Sequence, residues 1–574
     1  MDRKTFRDLC AQKIIILDGA TGTELQKKGL PAGACPEAWV DEHPDILVDL
    51  QKQYIAAGTD ILYTSTFGAS RLKLKSYGLE SEAGALNSRL AALSRQAAES
   101  CQSRRIYVAG GFAPTGAMIR PLGDWGFEDI VAVYKEQAEA LLAAGVDLFV
   151  AETMMSIQEA RAALIAVRDL CDLPVMVSVT LEENGRMLTG TDAVTALVTL
   201  QSLGADAVGL NCSSGPMQML PHLAAMKAYA HVPLLAKANA GLPRMVDGQT
   251  VFDMTAEDFG RTVPDLVSSG VGILGGCCGT TPAHIQAIAQ RAAALAPPAV
   301  SAHKPAVVSS AKGIFDFAGH QETIAIGQRI NPTNQPGLQK ALLDEDYDEI
   351  VEIALEQKDE GAQLLDINLG MDTLDEAAAM AGVMEAFSFS VALPLLVDSM
   401  DPATVEAALR NYPGRAIVNS VNLTLKSLEG ILPVAHRYGA MLIAMPIDDG
   451  GLPKSFDDRQ RILTAILERA YALGYQKQEI IADVLVLSAA APVDAVEEAL
   501  EMIRWCAREL KIATIAGICN VSFSLPDREA LNVGFLPMAI GSGLTMFIGD
   551  TGQSGLMEAK TASDVLLKKR QQDK

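Results

Sequence analysis

The stretch VGILGGCCGTTP, residues 271–282, joins an apolar, β-branched run to a glycine-rich turn carrying two adjacent cysteines. Its first half reads as a strand, and the chain turns where the thiols begin. Seven similar runs precede it: IIILDGA (14–20), DILYTSTF (60–67), RIYVAGG (105–111), DLFVAET (147–153), PVMVSVT (174–180), DAVGLNCS (206–213) and PLLAKANA (233–240). Between most of them lie segments with apolar residues at helical spacing, such as AVYKEQAEALLAAG and IQEARAALIAVRDL. Strand then helix, repeated eight times, predicts a (β/α)8 barrel over residues 1–296.

The pattern then pauses and restarts. Residues 297–316 are rich in Pro, Ala and Ser without a clear period, and read as a linker. Eight further runs follow: TIAIGQRI (323–330), QLLDINLG (363–370), PLLVDSM (394–400), AIVNSVN (416–422), MLIAMPI (441–447), IIADVLVL (480–487), ATIAGICNVSF (513–523) and LTMFIGD (544–550). They predict a second barrel over residues 317–574. The fold class expected is α/β: two TIM barrels in tandem, joined by a linker.

Bulk properties narrow the function. At 574 residues the chain exceeds one core. A formal net charge of −23 disfavours nucleic acid, which selects basic surfaces. The start, MDRKTFRDLC, lacks the apolar segment of a secretory signal, and no run reaches the roughly eighteen apolar residues of a membrane span. A cytoplasmic location is expected, with no membrane partner. There the nine cysteines stay reduced and serve as core residues, ligands or nucleophiles.

Polar residues at the C-terminal ends of barrel strands are site candidates. In the first half these include Asp18, Glu152, Cys212, Asn239, Cys277 and Cys278. Cys277 and Cys278 are neighbours, so a disulfide between them is sterically disfavoured. Gly270, Gly272, Gly275, Gly276 and Gly279 surround them. Adjacent strand residues point to opposite faces, and only a turn in unusual φ/ψ lets both sulfurs face one ion. Three thiolates with one exchangeable oxygen donor make a zinc arrangement with room for a substrate. Packed core cysteines are the alternative. A soft thiolate site favours a substrate thiol, which metal coordination deprotonates. Asp18 and Glu152 suit an ammonium group, and DGATGT (18–23) offers backbone N–H groups to a carboxylate. A thiol-bearing amino acid satisfies all three elements. Singly, Asp18 also reads as a helix N-cap and Glu152 as an ion-pair partner of Arg161. In the second half the strand ends carry Asn331, Asp366, Asn368, Asp398, Asn419, Asp483 and Asn520. Carboxylates and amides on one rim suit a heterocycle with several donors and acceptors, such as a pterin; caps and turns are the bland alternative.

On the motifs DGATGT, AET, GLNCS and GGCCGTTP, the first half resembles the zinc-dependent homocysteine S-methyltransferase family. On GQRINPT, DINLG, VDSM, IVNS, ADVLVL and CNVSFSLPDR, the second half resembles the pterin-binding family of methyltetrahydrofolate:corrinoid methyltransferases and dihydropteroate synthases. The order of the halves is similar to the N-terminal portion of cobalamin-dependent methionine synthases. The resemblance implies Zn2+ on Cys212, Cys277 and Cys278, with Asn239 in the fourth position until homocysteine displaces it. It implies that Asp18 and Glu152 hold the homocysteine ammonium, and that Gly19, Ala20 and Thr21 face its carboxylate. Asn331, Asp398, Asn419, Asp483, Asn520 and Arg528 would surround methyltetrahydrofolate, with Asp366 and Asn368 on the same rim and Asn520 near N5 as the catalytic contact. Gln328 departs from the family's usual glutamate. No Asp-x-His-x-x-Gly motif occurs, so the resemblance implies a corrinoid (cobalamin) supplied in trans, by another polypeptide or a missing module. The activity implied is methyl transfer from 5-methyltetrahydrofolate to homocysteine. The rivals are direct transfer between the pockets, a non-catalytic scaffold binding folate and thiol and docking a corrinoid protein, and a homocysteine methyltransferase fused to a folate reductase.

Overall fold

A computed structural model of the chain describes residues 1–246, 249–491 and 494–569. The last residues of the polar tail, 570–574, lie outside the described residues. The chain divides into two compact units, Met1–Ala302 and His303–Lys574.

The first unit is a barrel of eight parallel strands: Ile15–Ile16, Ile61–Tyr63, Tyr107–Phe112, Leu148–Met154, Val175–Val179, Ala207–Asn211, Leu234–Ala238 and Val271–Gly276. Six lie within the predicted runs, and the third and fourth run one residue past theirs, to Phe112 and Met154. A parallel bridge between Leu17 and Ile61 joins the first strand to the second and completes the circle. Strand side chains alternate between the two faces. The inward set, including Leu17, Ile61, Val150, Met176, Leu235 and Ile273, forms the interior core. The opening helix, Arg3–Gln12, adds Phe6 and Cys10 to that core. Arg3 Nε donates to Asp206 at 2.7 Å, just before the sixth strand begins. The helix therefore closes the N-terminal end of the barrel, leaving the C-terminal mouth for the site.

The second unit is a closed parallel barrel with its strands in sequence order: Ile324–Ile330, Leu364–Ile367, Leu395–Asp398, Ile417–Val421, Met441–Ala444, Ile480–Asp483, Ala513–Gly517 and Met546–Gly549. These too fall within the predicted runs. Residues 307–316 of the expected linker form an antiparallel hairpin, Val307–Ser309 against Ile314–Asp316. Val308 enters the barrel core, with Phe315 and Phe317 packed beside it. Ser309 N–H donates to the carbonyl of Arg415, at the N-terminal end of the fourth strand. A Cβ on Gly414 would lie 2.0 Å from the Ser309 carbonyl oxygen, so only glycine permits this approach. Arg415 is buried; it donates to the carbonyls of Pro305 and Val307 and pairs with Glu479. The hairpin escapes a periodicity reading because each arm is three residues long. Among the described residues no helix is long and apolar enough to cross a membrane.

Candidate functional site

At the mouth of the first barrel the structure gathers Cys212, Cys277 and Cys278, with all three Sγ atoms within 4.8 Å of one another. Cys212 and Ser213 follow the sixth strand with φ of 62° and 53°, a left-handed turn that swings the first sulfur over the barrel. Cys277 N–H donates to the Ala238 carbonyl at 2.7 Å, and Ala240 N–H donates to the Cys278 carbonyl at 3.0 Å. Thr280 Oγ1 donates to the Cys277 carbonyl at 2.7 Å. These bonds tie the cysteine turn to the seventh strand's end. All three cysteines are free. Hydrogen bonds from Cys277 and Cys278 pull the Cys212 thiol well below its usual range, and the same sharing pushes the other two up. Three thiols so close compete for protons, and a shared cation relieves that competition. Asn239 is buried on the intervening strand, and its Oδ1 has no hydrogen-bond donor. An orphaned buried acceptor at the end of the strand between the two cysteine-bearing ends fits a fourth donor to a metal. Asn211, the polar strand-end residue beside Cys212, donates to Thr153 Oγ1 at 2.7 Å and approaches Cys277 Sγ at 4.0 Å.

Asp18 and Glu152 are brought to the same mouth but are not equivalent. Asp18 is fully buried. Its Oδ1 lies 3.2 Å from Lys237 Nζ, as an ion pair without aligned hydrogen-bond geometry. Its Oδ2 accepts the Tyr63 N–H at 2.8 Å. Lys237 Nζ also sits 4.4 Å from the centre of the Tyr63 ring. Burial works against the charge on Lys237, but Asp18 and Glu152 outweigh it and hold its pKa above the ordinary value. Glu152 is partly exposed, and burial pushes its carboxyl up to about 7 against the pull of Lys237. Of the carboxylate cradle, Ala20 N–H is already taken by Thr280 Oγ1 at 3.1 Å. Gly19 is packed so tightly under Tyr54 that a Cβ there would lie 2.7 Å from the ring. Thr21 is partly exposed. The sequence reading missed Lys237 and Tyr63. Lys237 left a legible signal: a cation at an inward position of an otherwise apolar strand.

In the second barrel, four residues from the ends of the second, third and fourth strands interlock. Asn419 donates to Asp366 at 3.0 Å, and Asn368 donates to Asp398 at 3.0 Å. Asp398 and Asn419 are direct register partners. Burial pushes Asp398 and Asp483 each up to about 6, and Asp366 well above its ordinary range. Asp483 Oδ1 accepts the N–H of Leu485, and the buried Arg459 donates to the carbonyls of Val484 and Leu485, so Asp483 sits on a pinned turn. Asn331 caps its own turn by accepting the Thr333 N–H at 3.0 Å. Asn520 ends a short helical turn with an exposed side chain. Arg528, also exposed, donates to Ser522 Oγ and to the Cys519 carbonyl, bracing the Asn520 loop. Cys519 donates to Gln328 Oε1 at 2.8 Å, a pairing with no sequence signal.

Comparison with known proteins follows this division. Residues 15–292 match the family model of homocysteine S-methyltransferase, and residues 327–550 match that of pterin binding enzymes. The chain is 29% identical over 565 residues to the methionine synthase of Mycobacterium tuberculosis, covering 94% of this chain and 47% of that protein. It is 28% identical over 575 residues to the methionine synthase of Mycobacterium leprae, with 93% and 47% coverage. It thus spans about half the length of the curated relatives it matches. A solved metallated homocysteine methyltransferase of Escherichia coli is 26% identical, covering 49% of this chain and 98% of that one, with a TM-score of 0.43. Residues 15–292 are thus similar to the homocysteine S-methyltransferases and residues 327–550 to the pterin-binding enzymes.

Proposed function

We propose that the chain is a methyltransferase that moves the methyl group of 5-methyltetrahydrofolate to homocysteine, giving methionine and tetrahydrofolate. The two barrels take the two halves of the reaction, and a corrinoid-binding polypeptide or module carries the methyl between them. The observation that carries this reading is the convergence of three sulfurs at the mouth of a barrel of the homocysteine S-methyltransferase family.

Cys212, Cys277 and Cys278 would hold Zn2+, and Asn239 Oδ1 would be the exchangeable fourth donor. The bound ion supplies the Lewis acidity that ionises a thiol at neutral pH, where a free thiol near pKa 8.5 is mostly protonated. The chain's own part is to fix Cys277 and Cys278 through the Ala238, Ala240 and Thr280 hydrogen bonds, and Cys212 through its N–H to the Lys237 carbonyl. It also orients the amino acid with the strand-end carboxylates and the backbone at Gly19 and Thr21. In the second barrel Asp398, Asn419 and Asp483 meet the hydrogen-bonding edge of the pterin, with Asp366 and Asn368 holding them in register. Asn520 is the catalytic contact near N5. An amide is no strong acid, so Asn520 holds a proton in place that arrives through solvent. Arg528 steadies that loop, and Asn331 shapes the rim beside it. The free cysteines suit a reducing cytoplasm.

The reading is tested on zinc-loaded protein given free cobalamin, homocysteine and methyltetrahydrofolate under reducing conditions. Each half-reaction is followed by the cobalamin spectrum. Cobalamin methylation by the folate, and its demethylation by homocysteine, are expected. Binding of both substrates with neither spectral change supports a scaffold instead.

A further inference from the structure

Lys237 is a cation inside a barrel. Alternation along the seventh strand puts Leu235, Lys237 and Asn239 on one face, and Leu235 belongs to the interior core. Its side chain is 6% exposed and its Nζ is 3.2 Å from Asp18 Oδ1. The other Asp18 oxygen accepts a backbone N–H. Both oxygens of this carboxylate are thus engaged from within the protein. Glu152 contrasts with it: partly exposed at the end of the fourth strand, and without an ion-pair partner among the described residues. The packing is built around the lysine. A Cβ on Gly275 would lie 2.8 Å from Leu17 Cβ and 3.2 Å from Lys237 Cγ, so the eighth strand gives up a side chain where the lysine stem runs.

We infer that Lys237 is a resident ammonium that reserves Asp18 for the protein, so that an amino-acid thiol presents its α-ammonium to Glu152. Lys237 is then a positioning residue that sets which carboxylate reads the substrate, an inference that rests on the homocysteine reading above. A second ammonium at Asp18 would face Lys237 as a like charge and break a buried pair. At Glu152 it meets a carboxylate that Lys237 attracts only from beyond ion-pair distance and that stands within reach of solvent.

The test uses the full chain loaded with zinc. It is titrated calorimetrically with homocysteine and with 4-mercaptobutanoate, which keeps the thiol and carboxylate and lacks the ammonium. The wild type is expected to prefer homocysteine by roughly 10- to 100-fold, the worth of one charge-assisted hydrogen bond. E152Q should bring the ratio close to unity. D18N should weaken both ligands together and leave the ratio in place. K237M should raise the ratio, because Asp18 becomes a second receptor. A preserved ratio in E152Q, a collapsed ratio in D18N, or an unchanged ratio in K237M overturns the inference. Should K237M not fold, the E152Q and D18N pair decides alone. Failure of the wild type to bind either thiol overturns the acceptor reading itself, which separates the two failures. Zinc content, measured on each variant, shows that a changed ratio is not lost metal.

Discussion

Cys212 holds a left-handed backbone conformation that non-glycine residues adopt at a cost of about 1–2 kcal/mol. Such strain at a sulfur placed beside two others marks a residue kept for its side chain. Cys212→Ala is expected to abolish zinc retention and thiol binding while leaving pterin binding intact; metal analysis and a pterin titration check both. In the second barrel the informative residue is Asp483. Its folded pKa, about 6, lies above its ordinary value because it is buried. The stabilising contribution of its neutral form is therefore complete below about pH 4 and disappears as pH rises through about 6. At pH 8 the unliganded barrel carries an unfavourable buried charge. Asp483→Asn should then stabilise the barrel by about 1–3 kcal/mol at pH 8, seen as a higher melting temperature, and leave it nearly unchanged at about pH 3. The same substitution should abolish pterin binding. A variant that binds pterin normally argues against Asp483 as a ligand contact.

The elements that seal the barrels are the hairpin at 307–316 and the helix Arg3–Gln12. Their role is to close the N-terminal ends, so that the polar residues at the opposite ends stand over a solid core. The hairpin depends on Arg415, which satisfies two of its neighbouring carbonyls and pairs with Glu479 in a buried setting. Arg415→Met leaves Glu479 with Lys304 as its remaining ion-pair partner. A loss of about 3 kcal/mol is expected, seen as a fall of several degrees in the melting of the second barrel. Adding Glu479→Leu should recover much of that loss, because the buried carboxylate that lost Arg415 is then gone. A double variant no more stable than the single one shows that packing, rather than the ion pair, anchors the hairpin. These seals were not legible in the sequence. A three-residue arm carries no period, and a Pro- and Ala-rich approach reads as linker.

Across the whole chain, each mouth carries its own chemistry: sulfur in one barrel, interleaved carboxylates and amides in the other. Removing the metal with a chelator should therefore eliminate thiol binding and leave pterin affinity unchanged, measured by titrating the stripped protein with each ligand. Loss of both would show that the two sites are energetically linked. Both barrels could be read from the residues alone, because a strand buried on both faces must be a short apolar β-branched run, and sixteen such runs recur at βα spacing. The cysteines and the strand-end carboxylates could be read too, since strand ends face the mouth in any barrel of this kind. What folding alone settled is how those groups pair. Lys237 joins Asp18 from 219 residues away, Thr280 takes the Ala20 N–H across 260, and Cys519 meets Gln328 across 191. Local propensity is blind to such partners, because barrel closure brings distant strand ends together and the ion pairs form only after it.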